Sequence, residues 1–264
     1  GNLGKVENKG LDFSIDYVKR FNKDFDMSFK GTFTYAHNKV LEYDEPDFQK
    51  YPNISRVGHS VDQQLLYIAE RLFIDDSEVQ RNPKQNLGGW VSGGDIKYKN
   101  LPDVNGNYDN VIDSNDRQYT GMPTTPEIVY GFGPSLRYKK FDFSFFFQGA
   151  ARVSIMMNGI HPFGADGTRN VLQFIADDYW SDTNQDIYAG YPRLSKRDNE
   201  NNTKASTYWQ RNGAFLKLKN LEVGFNHKFF RVYLRGSNLL TFSPFKYWDP
   251  EMGSGSGLSY PTQR

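Results

Sequence analysis

Cysteine is absent from the 264 residues, which removes disulfides, thiolate metal sites and cysteine nucleophiles together. No apolar run approaches the roughly 18 residues that a membrane-spanning helix needs. The opening GNLGKVENK also lacks the apolar core of a signal peptide. If this chain meets lipid, it does so through strands. An excess of either sign of charge is missing too: 32 basic residues against 31 acidic leave a net of +1, so the overall balance carries no footprint for nucleic acid. His37, His59, His161 and His227 are scattered, with none at a metal-pair spacing, and neither a nucleophile elbow nor an HExxH segment occurs. The glycine-rich MGSGSGLSY near the end lacks the Lys and following Ser/Thr of a phosphate loop, and reads as a surface loop. These absences argue against an enzyme.

What is present is aromatic. Hydrophobic residues make up only 38%, yet aromatics reach 16%, with 21 Phe and 17 Tyr. They recur at spacing two. In FDFSFFFQG, Phe141, Phe143, Phe145 and Phe147 fall on one side of an extended chain, with Asp142, Ser144, Phe146 and Gln148 on the other. Leu11, Phe13, Ile15 and Tyr17 alternate in the same way with Asp12, Ser14 and Asp16. After the short link KRFNKDF, Met27, Phe29, Phe33 and Tyr35 alternate with Ser28, Lys30, Thr32 and Thr34. A second hairpin joins Ile128–Tyr138 to the Phe stripe through Lys139 and Lys140, with Pro134 in mild conflict with a central strand position. In a third pair, FLKLKNLEVGF and RVYLRGSNLL, the apolar phase slips between Leu218 and Leu221, which predicts a β-bulge near Lys219 and Asn220.

The connections are unequal. Turns within each pair are a few residues long, whereas 39–125 and 150–213 are long, polar and rich in Gly, Pro, Asn and Asp. The first is expected to hold a strand over Gln63–Phe73 and a helix begun near Asp76 or Ser77, the second a helix around Thr168–Tyr179. Short turns on one side and long excursions on the other match outer-membrane barrels. Strands of about ten residues suit a tilted crossing of a bilayer. The non-aromatic faces carry Lys30, Arg137, Lys217, Lys219 and Arg235; each would cost roughly 2–4 kcal/mol facing lipid at the midplane, but suits a wet lumen. The expected fold is therefore all-β, an antiparallel transmembrane β-barrel segment whose long extracellular loops carry short helices. The rival reading is a soluble extracellular β-sandwich that binds carbohydrate through its loops.

Seven segments occur in an order that resembles the C-terminal part of the SusC/RagA family of TonB-dependent outer-membrane transporters. They are NLGKVENKGLDF; the YP, SR and GH pairs of Tyr51–His59; GGDIKYKN leading into VIDSNDR; YGFGPSLRYKKFDFSFFFQG; FLKLKNLEVGF; RVYLRGSNLLTF; and YWDPE. The resemblance covers nearly the whole of residues 1–264. It implies a plugged barrel of roughly 22 strands, location in the cell outer membrane, and energisation through TonB. It also implies a SusD-like surface lipoprotein as partner in capturing glycan oligosaccharides or peptides. Six or seven strands are too few to close such a barrel. No stretch matches the plug or the TonB-contacting segment, and the chain stops at SYPTQR where a last strand would begin. It is expected to be a piece of a larger transporter.

Two sets of residues carry candidate chemistry. In NGNYDNVIDSND, Asn105, Asn107 and Asp109 fall at positions 1, 3 and 5 of a calcium loop, with the Val111 carbonyl at 7, Asp113 at 9 and Asp116 at 12. Asn110 replaces the usual turn glycine, and Asn105 the usual first Asp, so the alternatives are a weak Ca²⁺ site and a solvated Asx-rich turn. Trp90, Tyr98, Trp180, Tyr188, Tyr191 and Trp209 lie in the long loops, where rings stack on substrate faces or pack the loops into a cap. Trp248 of YWDPE fits an interfacial aromatic belt equally well.

Overall fold

In the computed structural model, which describes residues 3–160, 170–197 and 199–254, fourteen strands follow one another along the chain. They are β1 (Gly4–Arg20), β2 (Phe25–Tyr43), β3 (Gln64–Tyr67), β4 (Ala69–Leu72), β5 (Lys84–Gln85), β6 (Ile96–Tyr98), β7 (Val111–Ile112), β8 (Arg117–Thr120), β9 (Ile128–Tyr138), β10 (Phe141–Ala151), β11 (Ser154–Met156), β12 (Gln210–Asn212), β13 (Phe215–Asn226) and β14 (Arg231–Phe242). The helices are short: α1 (Asp76–Arg81), α2 (Gln173–Ala176) and α3 (Glu200–Thr203). The chain divides into two units. One takes Gly1–Val6, Val40–Gly121 and Met156–Arg211; the other takes Glu7–Lys39, Met122–Ile155 and Asn212–Arg264.

The second unit is built on one six-stranded sheet in the order β1-β2-β9-β10-β13-β14, antiparallel from β2 through β14. Its register places like residues side by side. Across one row Met27 faces Leu136, Leu136 faces Phe143, Phe143 faces Val223 and Val223 faces Leu234. Across the next, Ser28 faces Ser135, Ser135 faces Ser144, Ser144 faces Glu222 and Glu222 faces Arg235. Period-two alternation has thus become one apolar face and one polar face.

The apolar face is not covered. Leu234 is 80% exposed, Val232 61%, Leu11 61%, Phe141 57% and Phe13 53%. Phe143, Phe145 and Phe147 are half-buried, their rings edge-on at centroid separations of 5.8 and 5.7 Å. A β-sandwich would bury these side chains between two sheets; among the described residues no second sheet covers them, as in a barrel wall.

The polar face is cross-linked. Arg231 donates to Asp142 at 2.7 Å and to Glu222 at 2.6 Å, Asn226 donates to Asp142 at 2.5 Å, and Arg137 pairs with Asp26. Phe146, the one ring on this face of β10, lies over Gly131, where an added Cβ would come within 2.8 Å of it.

The predicted bulge is present. Phe146 pairs with Asn220 and Phe147 with Leu218, so Lys219 is the extra residue. Lys217 is 1% exposed yet paired with Asp249 at 2.5 Å and Glu251 at 2.8 Å, and Lys219 reaches the same Glu251 at 2.8 Å. These bonds tie the YWDPE segment to the polar side of β13. Trp248 packs there edge-on to Phe245 at 4.5 Å, its indole N–H donating to the Gly253 carbonyl at 3.1 Å. Pro134 occupies a central strand after all. Its pairing with Phe29 of β2 is intact, while the β9–β10 ladder skips from Ser135–Ser144 to Phe132–Phe147. The missing N–H removes ladder bonds on one side only.

Two expectations for the long connections change. Gln63–Phe73 forms two strands, β3 and β4, interrupted at Ile68, and β3 pairs with β8 while β4 pairs with β6. Of Thr168–Tyr179, only Gln173–Ala176 is helical among the described residues, and Tyr179 instead bridges to Tyr191. His161, residues 168 and 169, and most of MGSGSGLSY and SYPTQR lie outside the described residues. No helix among the described residues is long and apolar enough to cross a membrane.

Candidate functional site

The first unit, made largely of the two long connections, holds the only conventional core in the described chain apart from a few side chains. Leu66, Leu72, Phe73, Ile96, Ile112 and Met157 are all at most 2% exposed. A polar network runs through it. Asp95, fully buried, accepts from Asn199 at 3.0 Å, Asn202 at 2.8 Å, the Ser92 backbone N–H at 2.9 Å and Arg193 at 2.9 Å. Burial raises the Asp95 pKa and Arg193 opposes that rise; with donors on every side and nothing to accept a proton, the group is a carboxylate. Asn201 holds Gln85 at 2.6 Å and the Ile96 carbonyl at 3.0 Å.

This network anchors a cavity of about 510 Å³ whose walls include Asp75, Asp76, Ser92, Gly93, Tyr179, Trp180, Asp182 and Arg193. Asp75 caps α1, accepting from the Glu78 N–H at 2.7 Å, while Glu78 accepts from the Ile74 N–H at 2.9 Å. Burial alone would raise the Glu78 carboxyl, but Arg71, the Ile74 N–H and Lys97 overcome it and bring its pKa down to about 2. Asp76 accepts from the Gly93 N–H at 2.8 Å; with that bond and the Ser92 hydroxyl beside it, its pKa falls below the ordinary carboxylate value. Gly94, at φ +79°, lets the Trp180 ring close on the backbone: a Cβ there would lie 2.2 Å from the ring. Arg193 is held by Asp95 and stacks on Trp90 with its guanidinium 3.9 Å from the ring centroid.

The six loop aromatics therefore divide. Tyr98, Tyr191 and Trp209 are at most 2% exposed and bonded inward, to the carbonyls of Asn201 at 2.7 Å, Ile160 at 2.9 Å and Asn202 at 2.8 Å. Of the two roles the sequence leaves open, these three pack the loops, because their polar edges already have acceptors and their faces meet other rings, as Tyr191 does Trp209 at 5.3 Å. Trp180 lines the large cavity. Tyr188, 75% exposed, lines a smaller cleft of about 260 Å³ with Tyr208 and Arg211. Trp90 is half exposed beside Arg193.

The acidic side chains of the Asn/Asp loop accept from nearby backbone N–H groups. Asp109 accepts from the Val111 N–H at 3.0 Å and Asp113 from the Asn115 N–H at 2.8 Å. Asp116, 2% exposed, accepts from Leu101 and Asp113, both at 2.7 Å. Asn105 and Asn107 donate their backbone N–H groups to Asp103 at 2.9 Å. Val111 is part of β7, which pairs in parallel with β5. Asn110 does adopt the left-handed turn conformation, at φ 60°. Among the described residues no three acidic or imidazole side chains are grouped to hold a metal.

Sequence reading did not single out Asp95, Arg193, or Asn199, Asn201 and Asn202. The run NENN was a usable signal, since three Asn so close to a short helix suit caps and buried hydrogen bonds better than solvent.

No family model matches the chain. Among curated proteins it is 29% identical over 266 residues to TonB-dependent receptor P3 of Formosa agariphila, covering 95% of this chain and 26% of the relative. It is 24% identical to TonB-dependent receptor SusC of Bacteroides thetaiotaomicron, covering 96% of this chain and 25% of the relative. The chain thus spans about a quarter of the length of these relatives. Among solved structures it superposes on the RagAB peptide transporter with a TM-score of 0.66 at 18% identity, over 95% of this chain and 27% of that one. The RagAB peptide importer in its open-open state gives 0.64 at 19% identity. With the two-faced sheet, the order of the motifs and these relatives in agreement, the chain is similar over nearly its whole length to TonB-dependent receptors of the SusC kind and has the fold of a segment of an antiparallel β-barrel.

Proposed function

We propose that this chain supplies wall strands and extracellular loops to an outer-membrane transporter that imports large nutrients, oligosaccharides or peptides, with energy delivered through TonB. The observation that carries the reading is the sheet itself, whose rows of Phe, Leu and Val stay exposed while the opposite face is ion-paired. Lipid tails stabilise the first face and a wet lumen the second. In this reading the chain is a C-terminal part of the barrel, the plug that engages TonB belongs to another part of the protein, and the first unit faces the cell exterior. A SusD-like lipoprotein covers the assembly there and helps capture substrate. No covalent step is assigned to the chain, and its relatives are named as receptors and transporters.

The test uses the intact protein in its own cells. Fractionation is expected to place it in the outer membrane, native mass spectrometry of the detergent-extracted assembly to reveal the lipoprotein, and deletion of TonB to abolish uptake of labelled oligosaccharide or peptide. Recovery as a detergent-free soluble monomer, or uptake that persists without TonB, overturns the proposal.

A further inference from the structure

The three short turns of the six-stranded sheet, 21–24, 139–140 and 227–230, lie side by side at one end. The Lys139 N–H donates to the Asp24 carbonyl and the Asn226 N–H to the Lys140 carbonyl, both at 2.6 Å. An aromatic row follows the same rim: Phe25 meets Tyr138 edge-on at 6.4 Å, Phe141 lies 5.2 Å from Phe225, and Phe225 lies 6.5 Å from Phe230. In a barrel wall such a row marks the level where hydrocarbon gives way to headgroups. The charge along it is one-sided. Lys19, Lys23, Lys139, Lys140 and Lys228 are all exposed and have no ion-pair partner among the described residues. Asp26 is matched by Arg20 and Arg137, and Asp142 by Arg231, which leaves Asp24 as the one unmatched acid of these turns.

Each turn also sets one of these ammonium groups over an exposed ring. Lys19 lies 5.0 Å from the centre of Phe21, Lys139 5.4 Å from that of Tyr138 and Lys228 5.5 Å from that of Phe229. An ammonium held over a ring face keeps N–H donors open on its other side. Lys19 fixes the side on which the charge is presented. It continues the spacing-two row of Leu11, Phe13, Ile15 and Tyr17, so it stands on the outer, apolar face of β1 and not in the lumen.

We infer that this rim binds the phosphodiester headgroups of anionic phospholipids in the leaflet on the short-turn side, periplasmic in an outer-membrane barrel. The lysine ammonium groups meet the phosphates, and the adjoining rings meet the glycerol and the first acyl carbons. The occupant follows from continuity and from charge: the basic rim borders the face assigned to lipid tails, and five lysines against one free carboxylate are drawn to an anionic membrane surface. A substrate in the lumen would not reach Lys19. The inference rests on the membrane reading under the proposed function and adds the class of lipid that holds the barrel wall at this end.

The experiment is native mass spectrometry of the full-length detergent-purified transporter, delipidated and then titrated with phosphatidylglycerol or with phosphatidylcholine of the same acyl chains. Phosphatidylglycerol is expected to bind roughly tenfold or more tighter. The K19Q/K23Q/K140Q/K228Q variant, changed only at exposed positions, is expected to lose most of that preference, and the matching Lys→Arg variant to keep it. Lys139 is left in place because its φ of 53° belongs to the turn. Equal affinity of the wild type for the two lipids, a preference that survives the four Gln substitutions, or displacement of phosphatidylglycerol by inorganic phosphate at constant ionic strength overturns the inference. Equal retention of both lipids leaves the membrane reading standing, whereas retention of neither overturns that reading as well.

Discussion

Neighbouring residues on β10 give a sharp test of which solvent each face meets. Phe145 sits near the middle of the strand on the apolar face, opposite Leu221, while Ser144 points to the polar face between Ser135 and Glu222. Replacing Phe145 by Arg removes a ring whose transfer from water is worth roughly 1.5–3 kcal/mol. It also puts a cation into hydrocarbon near mid-strand, for a further ~2–4 kcal/mol. The expected loss is roughly 3.5–7 kcal/mol. Replacing Ser144 by Arg places the same side chain beside the Glu222 carboxylate in a hydrated lumen, with an expected change within about 1 kcal/mol. The assay is guanidinium unfolding of the full-length transporter reconstituted in phospholipid vesicles, comparing each variant with wild type. Equal losses for F145R and S144R, or a larger loss for S144R, would refute the assignment of the Phe face to lipid.

Other consequences follow from the packing. Gly133→Ala pushes a Cβ to within 1.9 Å of the Phe145 carbonyl, so its thermal transition is expected well below that of Gly106→Ala, where open space leaves only the φ +84° penalty of roughly 1 kcal/mol. Glu78 has a folded pKa of about 2 against an ordinary 4.5. Because the folded value is depressed, its stabilisation is complete above pH 4.5 and lost as pH falls towards 2, on the order of 3 kcal/mol. Hydrogen exchange around α1 should report that loss, and Glu78→Gln should flatten it while lowering protection at neutral pH. Titration with Ca²⁺ is expected to leave the exchange of the Val111, Asp113 and Asn115 amides unchanged, because Asp109, Asp116 and Asp113 already accept from them; calcium-dependent protection there would instead establish a site.

The sequence by itself determined the sheet. Spacing-two alternation states which residues share a face, because successive side chains on a strand must point to opposite sides. A slipped phase at Lys219 can be absorbed only by an extra residue. The turn at Lys139 and Lys140 and the start of a helix near Asp76 were legible for the same reason, since both depend on residues a few positions apart. Tertiary structure alone decided the loops. Asp95 meets Asn199 and Asn202 across 104 and 107 residues, and Tyr98 reaches the Asn201 carbonyl across 103. No local period encodes such pairings, so the sequence left open which rings of Trp90, Tyr98, Trp180, Tyr188, Tyr191 and Trp209 form a core and which line a cavity. Burial settles that division: Tyr98, Tyr191 and Trp209, with their polar edges satisfied inside, belong to the packing, whereas Trp90 and Tyr188 stay exposed and Trp180 forms part of a cavity wall.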